Sequence, residues 1–197
     1  MKLSEYLSVQ EKFARSTNIS LDYNHPGRVA NYKFTPKSID LIVDLLSTYN
    51  GDNKDRSYSI IGPYGSGKST FGLFVAHLLS DSNSDWVNDA KLQLIKQNDE
   101  IAKYLKSLKK KYVPLLLVGS KGSLSDAIFE TIRKEVAENK ILNEIDSKSF
   151  TKRLNQFRKE INQKENTPEA LIDLISELNQ LVIKVGKKGL LILLDEF

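Results

Sequence analysis

The chain contains one run of residues whose types and spacing suit them to bind phosphate groups. This run fills every fixed position of the pattern G-x-x-x-x-G-K-[ST], as Gly62-Pro63-Tyr64-Gly65-Ser66-Gly67-Lys68-Ser69-Thr70. Its glycines let the backbone curve into a nest whose N–H groups point at phosphate oxygens, and no side chain blocks close approach. Lys68 reaches the β- and γ-phosphates, and the Ser69 hydroxyl is placed to bind Mg²⁺. The run therefore predicts a site for a nucleoside triphosphate with magnesium.

The residues on either side of this loop have the patterns of a strand and of a helix. Tyr58-Ser59-Ile60-Ile61 is a short β-prone run that ends at the first glycine, and residues 69–79 are rich in Phe, Leu and Val. We therefore predict a strand, the loop and then a helix whose positive dipole end faces the phosphates. The alternative is a glycine-rich turn without a ligand, and the agreement of all three segments favours the phosphate site.

A second informative run lies near the end of the chain, where residues 189–196 read Gly-Leu-Leu-Ile-Leu-Leu-Asp-Glu. A continuous apolar run without alternation is typical of a parallel strand that is covered on both faces. Open α/β sheets bind their ligands at the carboxyl ends of such strands, which is where Asp195 and Glu196 lie. These two carboxylates either belong to the phosphate site or open a surface loop, and the phosphate loop upstream favours the first interpretation.

Together the two runs resemble the P-loop NTPase superfamily, and the adjacent Asp-Glu pair resembles the ATPase branch that includes AAA+, RecA-like, transporter-type and signalling ATPases. The resemblance implies that the loop binds ATP and that Asp195, with Ser69, holds Mg²⁺. It also implies that Lys68 stabilises phosphoryl charge and that Glu196 polarises the attacking water as a general base. The extended loop, the Thr35-Pro36 helix start and the Asp-Glu-Phe ending further resemble large ATPases of bacterial phage-defence and DNA-modification systems.

The rest of the chain predicts an α/β fold, a parallel β-sheet with flanking helices and helical insertions. Thr35-Pro36 supplies an N-cap and a first-turn proline for a helix that ends near Asn50-Gly51. Residues 113–118 form a second buried strand, and Thr167-Pro168 begins a helix that stops at Gly186. Helical patterns also fill the stretches on either side of residues 113–118.

We divide the chain into two parts: residues 1–56, an N-terminal extension with a helix before the core, and residues 57–197, the P-loop core. The resemblance implies a later strand between the phosphate-loop strand and the Asp-Glu strand, and that strand would follow Phe197. We therefore expect the N-terminal part of an incomplete domain. Residues 59–61 and 191–194 should then run parallel about 9.6 Å apart, with a strand-wide slot between them. Unpaired backbone at the slot would favour aggregation.

Composition limits the class of protein and its surroundings. The chain has 197 residues, of which 40% are hydrophobic and 27% charged, which suits one sizeable globular core. It has no cysteine, no apolar run of membrane-spanning length and no signal-peptide core at its start, so we expect a cytoplasmic protein without membrane contact. The net charge is +4. The cluster Lys103, Lys106, Lys109, Lys110 and Lys111 is either a solvated helix end or a patch for the DNA backbone.

Several functions are compatible with these residues. The first is an ATPase that drives remodelling, with protein partners or further copies of itself; the second is a switch that binds nucleotide with little turnover. A small-molecule kinase has no recognisable acceptor site here. A GTPase would carry N-K-x-D, and the runs at 53–56 and 139–142 both lack its aspartate.

Three aromatic or histidine side chains could serve the site or the core. Tyr32 and Phe34 could stack on adenine, although aromatic residues at such positions are more often part of a core. His77 has no ligand partner one helical turn away, which favours a packed or surface histidine over a metal ligand or a catalytic group.

Overall fold

A computed structural model describes residues 16–25, 29, 32–51, 55–80, 85–119, 123–138, 147–162 and 168–196. The protein is α/β, and the described residues form eight helices and a two-stranded parallel sheet. In chain order these elements are α1 (Ile19–Asp22), α2 (Pro36–Asn50), α3 (Lys68–Leu79), α4 (Asp85–Gln97), α5 (Asp99–Ser107), β1 (Tyr112–Val118), α6 (Leu124–Glu138), α7 (Ser147–Asn162), α8 (Pro168–Lys184) and β2 (Gly189–Asp195). They divide between a first compact unit, Met1–Leu78 with Ser82–Leu105, and a second, Leu79–Asp81 with Lys106–Phe197.

The second unit is built on the pairing of β1 with β2. The two strands run parallel in a register that joins Tyr112 to Gly189 and Val118 to Asp195. Helices α6, α7 and α8 each contribute a fully buried apolar side chain to the core beside the sheet, namely Ile132, Phe157 and Leu174. Both strands and the helix that precedes β2 lie where the hydrophobic patterns predict them.

One face of β2 is less covered than the sequence indicates. Helix α8 packs against the strand, and the Asn179 Oδ1 oxygen accepts a hydrogen bond from the Leu190 backbone N–H at 2.9 Å. Ile192 and Leu194, however, are 37% and 51% exposed. The prediction of a strand buried on both faces is therefore wrong for these two residues.

In the first unit, α2 begins and ends as its local sequence predicts. The Thr35 hydroxyl accepts from the Ser38 backbone N–H at 3.2 Å, and the Ser38 hydroxyl oxygen accepts from the Thr35 N–H at 2.8 Å. This reciprocal capping box satisfies N–H groups that a helix start otherwise leaves unpaired. The helix stops at Gly51, whose φ of 89° is a left-handed conformation that glycine adopts without strain.

The segment before the phosphate loop is not a strand. Residues 55–63 are in neither helix nor sheet, so the strand predicted at Tyr58 to Ile61 is wrong. The Tyr58 hydroxyl instead contacts the Thr48 hydroxyl and donates to the Asp44 carbonyl oxygen at 3.3 Å, while Ile61 is 89% exposed. β-prone residues form a strand only when a neighbour pairs with their backbone, and sheet pairing in the described residues joins only β1 and β2.

The predicted parallel arrangement of residues 59–61 and 191–194, about 9.6 Å apart, stays a prediction, because the first run belongs to the first unit and the second run to the second. Among the helices that the structure describes, none combines the length and the apolar character needed to cross a bilayer.

Candidate functional site

The phosphate-loop residues adopt a curved conformation that depends on two glycines. Gly65 and Gly67 have φ values of 76° and 85°, in the left-handed region that residues with a Cβ enter at a cost of about 1 kcal/mol or more. Open space surrounds both positions, so their requirement for glycine is conformational and not steric. At Gly62, by contrast, a Cβ would lie 3.2 Å from the Ser66 Oγ atom, because the loop closes on itself.

The lysine of the loop is the first residue of α3. Its Nζ donates hydrogen bonds to the Gly62 and Pro63 carbonyl oxygens, both at 2.9 Å. The Phe71 N–H donates to the Gly67 carbonyl oxygen at 2.9 Å, which is the bond that opens the helix. The N–H groups of a helix's first turn have no intrahelical partner, so Lys68, Ser69 and Thr70 present free backbone donors and a positive dipole end beside the lysine. This combination attracts anions.

Tyr32 and Phe34 are half-buried and pack on the core around α3. The Tyr32 ring stacks on Phe74 at a centroid distance of 5.7 Å, and Phe34 meets the same ring edge-on at 5.1 Å. Burial raises the pKa of the Tyr32 hydroxyl above its ordinary value, while a hydrogen bond with Ser38 opposes that change. The core interpretation of these two aromatic residues is therefore confirmed.

The segment around α1 lies along α3, a contact that the sequence did not predict. Thr17 Oγ1 lies 3.0 Å from Thr70 Oγ1, near the start of α3, and the Tyr23 ring stacks on His77 near its end at 4.4 Å. Ile19, between these two contacts, is 2% exposed. Because α1 has only four residues, it is too short to show a helical period in the sequence.

His77 is a packed histidine, as its isolated position in the sequence indicates. It is 4% exposed and lies between Tyr23 and Trp86, whose ring it meets edge-on at 4.7 Å. Burial lowers the pKa of its imidazole to about 4, and a backbone hydrogen bond with Tyr23 partly opposes that change. The imidazole is therefore neutral at physiological pH.

The buried imidazole predicts a loss of stability in acid. Its pKa is about 4 when folded and about 6.5 when exposed, so between these values the unfolded chain binds more protons. The contribution of the buried neutral imidazole to the free energy of unfolding should be fully present above pH 6.5. It should decrease as the pH falls toward 4, and the loss at pH 5 should be at most about 2 kcal/mol. Urea unfolding of wild type and His77→Gln at pH 7.5 and pH 5 measures this. Equal pH-dependent losses in the two proteins would contradict the assignment.

The two carboxylates lie at the end of β2, where Asp195 is the last residue of the strand and Glu196 follows it. The Asp195 carbonyl oxygen accepts from the Gly119 N–H at 2.8 Å, which extends the β1–β2 ladder to the end of the strand. The Asp195 Oδ2 atom is buried and has no hydrogen-bond partner among the described residues. A buried carboxylate oxygen without a donor suits a metal ion or its bound water.

Glu196 has an unusual backbone conformation. Its φ of 60° is the one positive value that a non-glycine residue takes in the described part of the chain, and its side chain is exposed. Such strain recurs at functional sites, because surrounding structure must hold the residue there.

The structure thus divides the predicted site residues between the two units. Gly62 to Thr70 form one continuous loop and helix start in the first unit. Asp195 ends β2 in the second unit, and Glu196 follows it. Lys103, Lys106, Lys109 and Lys110 are exposed, which is compatible with both interpretations of this cluster, and Lys111 is half-buried.

Two plant proteins are similar to part of this chain. Over 116 residues the chain is 30% identical to AAA-ATPase At5g40000 of Arabidopsis thaliana, a match that covers 54% of this chain and 24% of the plant protein. It is 30% identical over 103 residues to AAA-ATPase At3g28610 of the same plant, covering 47% and 21%. The chain therefore spans about a quarter of these relatives' length. No protein-family model matches the chain, and no solved structure matches it.

Proposed function

We propose that this chain carries the nucleotide site of an AAA-type P-loop ATPase. The observation that carries the proposal is the loop of residues 62–67, which curves through two left-handed glycines and ends at the lysine that begins α3. The partial similarity to two AAA-ATPases supports the same class and favours ATP as the nucleotide.

The proposed roles follow the chemistry of each group. Backbone N–H groups of the loop and of α3 bind the phosphates. When nucleotide binds, the Lys68 ammonium donates to β- and γ-phosphate oxygens in place of the loop carbonyl oxygens. Ser69 and Asp195 contribute a hydroxyl and a carboxylate oxygen to Mg²⁺, which neutralises phosphate charge when bound. The described residues contain no group of three or more His, Cys, Asp or Glu side chains arranged for a metal, which suits an ion held largely by substrate and water.

Glu196 would orient and deprotonate the attacking water, so hydrolysis is favoured over a switch that binds ATP with little turnover. We further propose that residues 57–197 form the ATPase core and that residues 1–56 precede it. The family resemblance further suggests how the energy of hydrolysis is used. We propose that it drives remodelling of a partner or a defence or DNA-associated process.

Shared magnesium predicts a dependence between Ser69 and Asp195. Ser69→Ala and Asp195→Asn should each weaken Mg²⁺-dependent ATP binding by about five- to tenfold, since each removes one contact to the ion or its water. The double variant should lose much less than the product of the two losses, because both side chains serve one ion. Titrations with ATP, with and without Mg²⁺, measure this.

The matched control is Asp173→Asn on α8, which makes the same chemical change at an exposed position and should bind ATP as wild type does. Fully multiplicative losses in the double variant would show that the two residues do not share an ion. If wild type binds ATP equally well with and without Mg²⁺, the proposed role of the metal in binding is wrong.

A further inference from the structure

The contact between Thr17 and Thr70 joins the N-terminal segment to the phosphate site. The two hydroxyl oxygens are 3.0 Å apart, a hydrogen-bond distance, although 53 positions separate them in the chain. Thr70 lies in the first turn of α3, two residues after Lys68. A side chain that fixes Thr70 therefore acts at the helix start toward which the proposed phosphates would point.

Local hydrogen bonds hold Thr17 in place. Asn18 caps α1, since its side-chain oxygen accepts from the Leu21 N–H at 3.0 Å. The carboxylate of Asp22, a residue with no exposed surface, accepts in turn from the Asn18 N–H at 2.8 Å. The backbone on the C-terminal side of Thr17 is thus fixed by these two hydrogen bonds, which join residues within a five-residue stretch.

A second contact sets the direction of the segment along α3. Tyr23 stacks on His77 with the ring planes 8° from parallel. Thr70 and His77 are seven residues apart on the helix, which corresponds to about 10.5 Å along its axis. The segment therefore contacts α3 both at Thr70 and at His77, and these two contacts hold Thr17 beside the helix start.

Either hydroxyl can donate in this contact, and one of the two directions suits phosphate binding. A threonine hydroxyl donates one hydrogen bond and accepts up to two. When Thr17 donates to Thr70, the Thr70 hydroxyl keeps its own proton for an acceptor such as a phosphate oxygen. The first bond also polarises the second, because linked hydrogen bonds strengthen one another.

We infer that Thr17 is a positioning residue for the nucleotide site, which orients the Thr70 hydroxyl toward a bound phosphate. The inference rests on the proposed function and extends it to a residue outside the phosphate loop. Thr17 acts through Thr70, so its effect should depend on the Thr70 hydroxyl and disappear without it.

The test compares hydroxyl removal with hydroxyl retention at one position. Thr17→Val keeps the shape and should weaken Mg·ATP binding about fivefold, whereas Thr17→Ser should bind within about twofold of wild type. Adding Thr17→Val to Thr70→Val should cause no further loss. Calorimetric titration with Mg·ATP gives the affinities, and thermal unfolding without nucleotide shows that each variant is folded. Leu21→Ala, at a 62% exposed position of the same segment, is the control and should bind normally.

The results separate this inference from the proposed function. Wild type that binds no ATP overturns both. Two results would overturn the inference alone. One is that Thr17→Val binds ATP as tightly as wild type, and the other is that Thr17→Val causes the same loss of affinity in the Thr70→Val background as it does in wild type. If Thr17→Val does not fold, Thr17→Cys is compared with Thr17→Ser, since the two differ only in whether a thiol, a weak donor, or a hydroxyl stands at that place. Equal binding by these two variants would overturn the inference.

Discussion

In the full-length protein, Glu196→Gln should reduce the rate of ATP hydrolysis by about 10² or more while Mg·ATP still binds. The amide keeps the size and hydrogen-bonding capacity of the side chain but cannot accept a proton from water. Glu196 is exposed, so the substitution leaves no buried group without a partner. Multiple-turnover phosphate release gives the rate, and nucleotide titration gives the affinity.

Two controls separate catalysis from stability at this position. Glu100→Gln makes the same change at an exposed residue of α5 and should leave turnover unchanged. Glu196→Gly removes the carboxylate but accepts a φ of 60° without strain, so it should abolish turnover without destabilising the fold. Unchanged phosphate release in Glu196→Gln would show that Glu196 is not the base. A wild type without turnover would favour the nucleotide-dependent switch.

Lys68→Ala should weaken Mg·ATP binding at least tenfold. The substitution removes a charge-assisted contact with the phosphates, which contributes on the order of 1.5 to 3 kcal/mol. It also removes the two hydrogen bonds, both 2.9 Å, that join α3 to the loop carbonyls of Gly62 and Pro63. Displacement of a fluorescent ATP analogue measures the affinity over the range needed.

The matched control is Lys96→Ala, which removes an exposed lysine from α4 in the same unit. It lowers the net charge by the same amount, so it corrects for any general attraction of ATP to a basic protein. If Lys68→Ala and wild type bind Mg·ATP with equal affinity, this loop is not the nucleotide site.

Features that depend on local sequence could be predicted. The N-cap at Thr35 and the stop at Gly51 are set by contacts within a few residues, and the structure has both. The left-handed glycines of the phosphate loop follow in the same way from the spacing of the pattern. Strands β1 and β2 were also predictable, because their apolar runs are long and end in turn or polar residues.

Features that depend on distant partners could not be predicted. The run at Tyr58 to Ile61 has β-prone residues, but its backbone has no strand beside it in the described residues, and Tyr58 contacts α2 instead. The exposure of Leu194 depends on which elements cover β2, and its own sequence does not contain that information. The contact of Thr17 with Thr70 spans 53 positions and leaves no periodic signal.

The central claim is that residues 62–70 bind the phosphates of ATP, and backbone hydrogen exchange of the wild-type protein with and without Mg·ATP tests it most directly. Bound phosphates accept from the N–H groups of the loop and of the first turn of α3, so exchange of those amides should slow clearly with nucleotide. Lys68→Ala should show little of this protection at the same ATP concentration. Protection confined to other segments, or none at saturating Mg·ATP, would contradict the account.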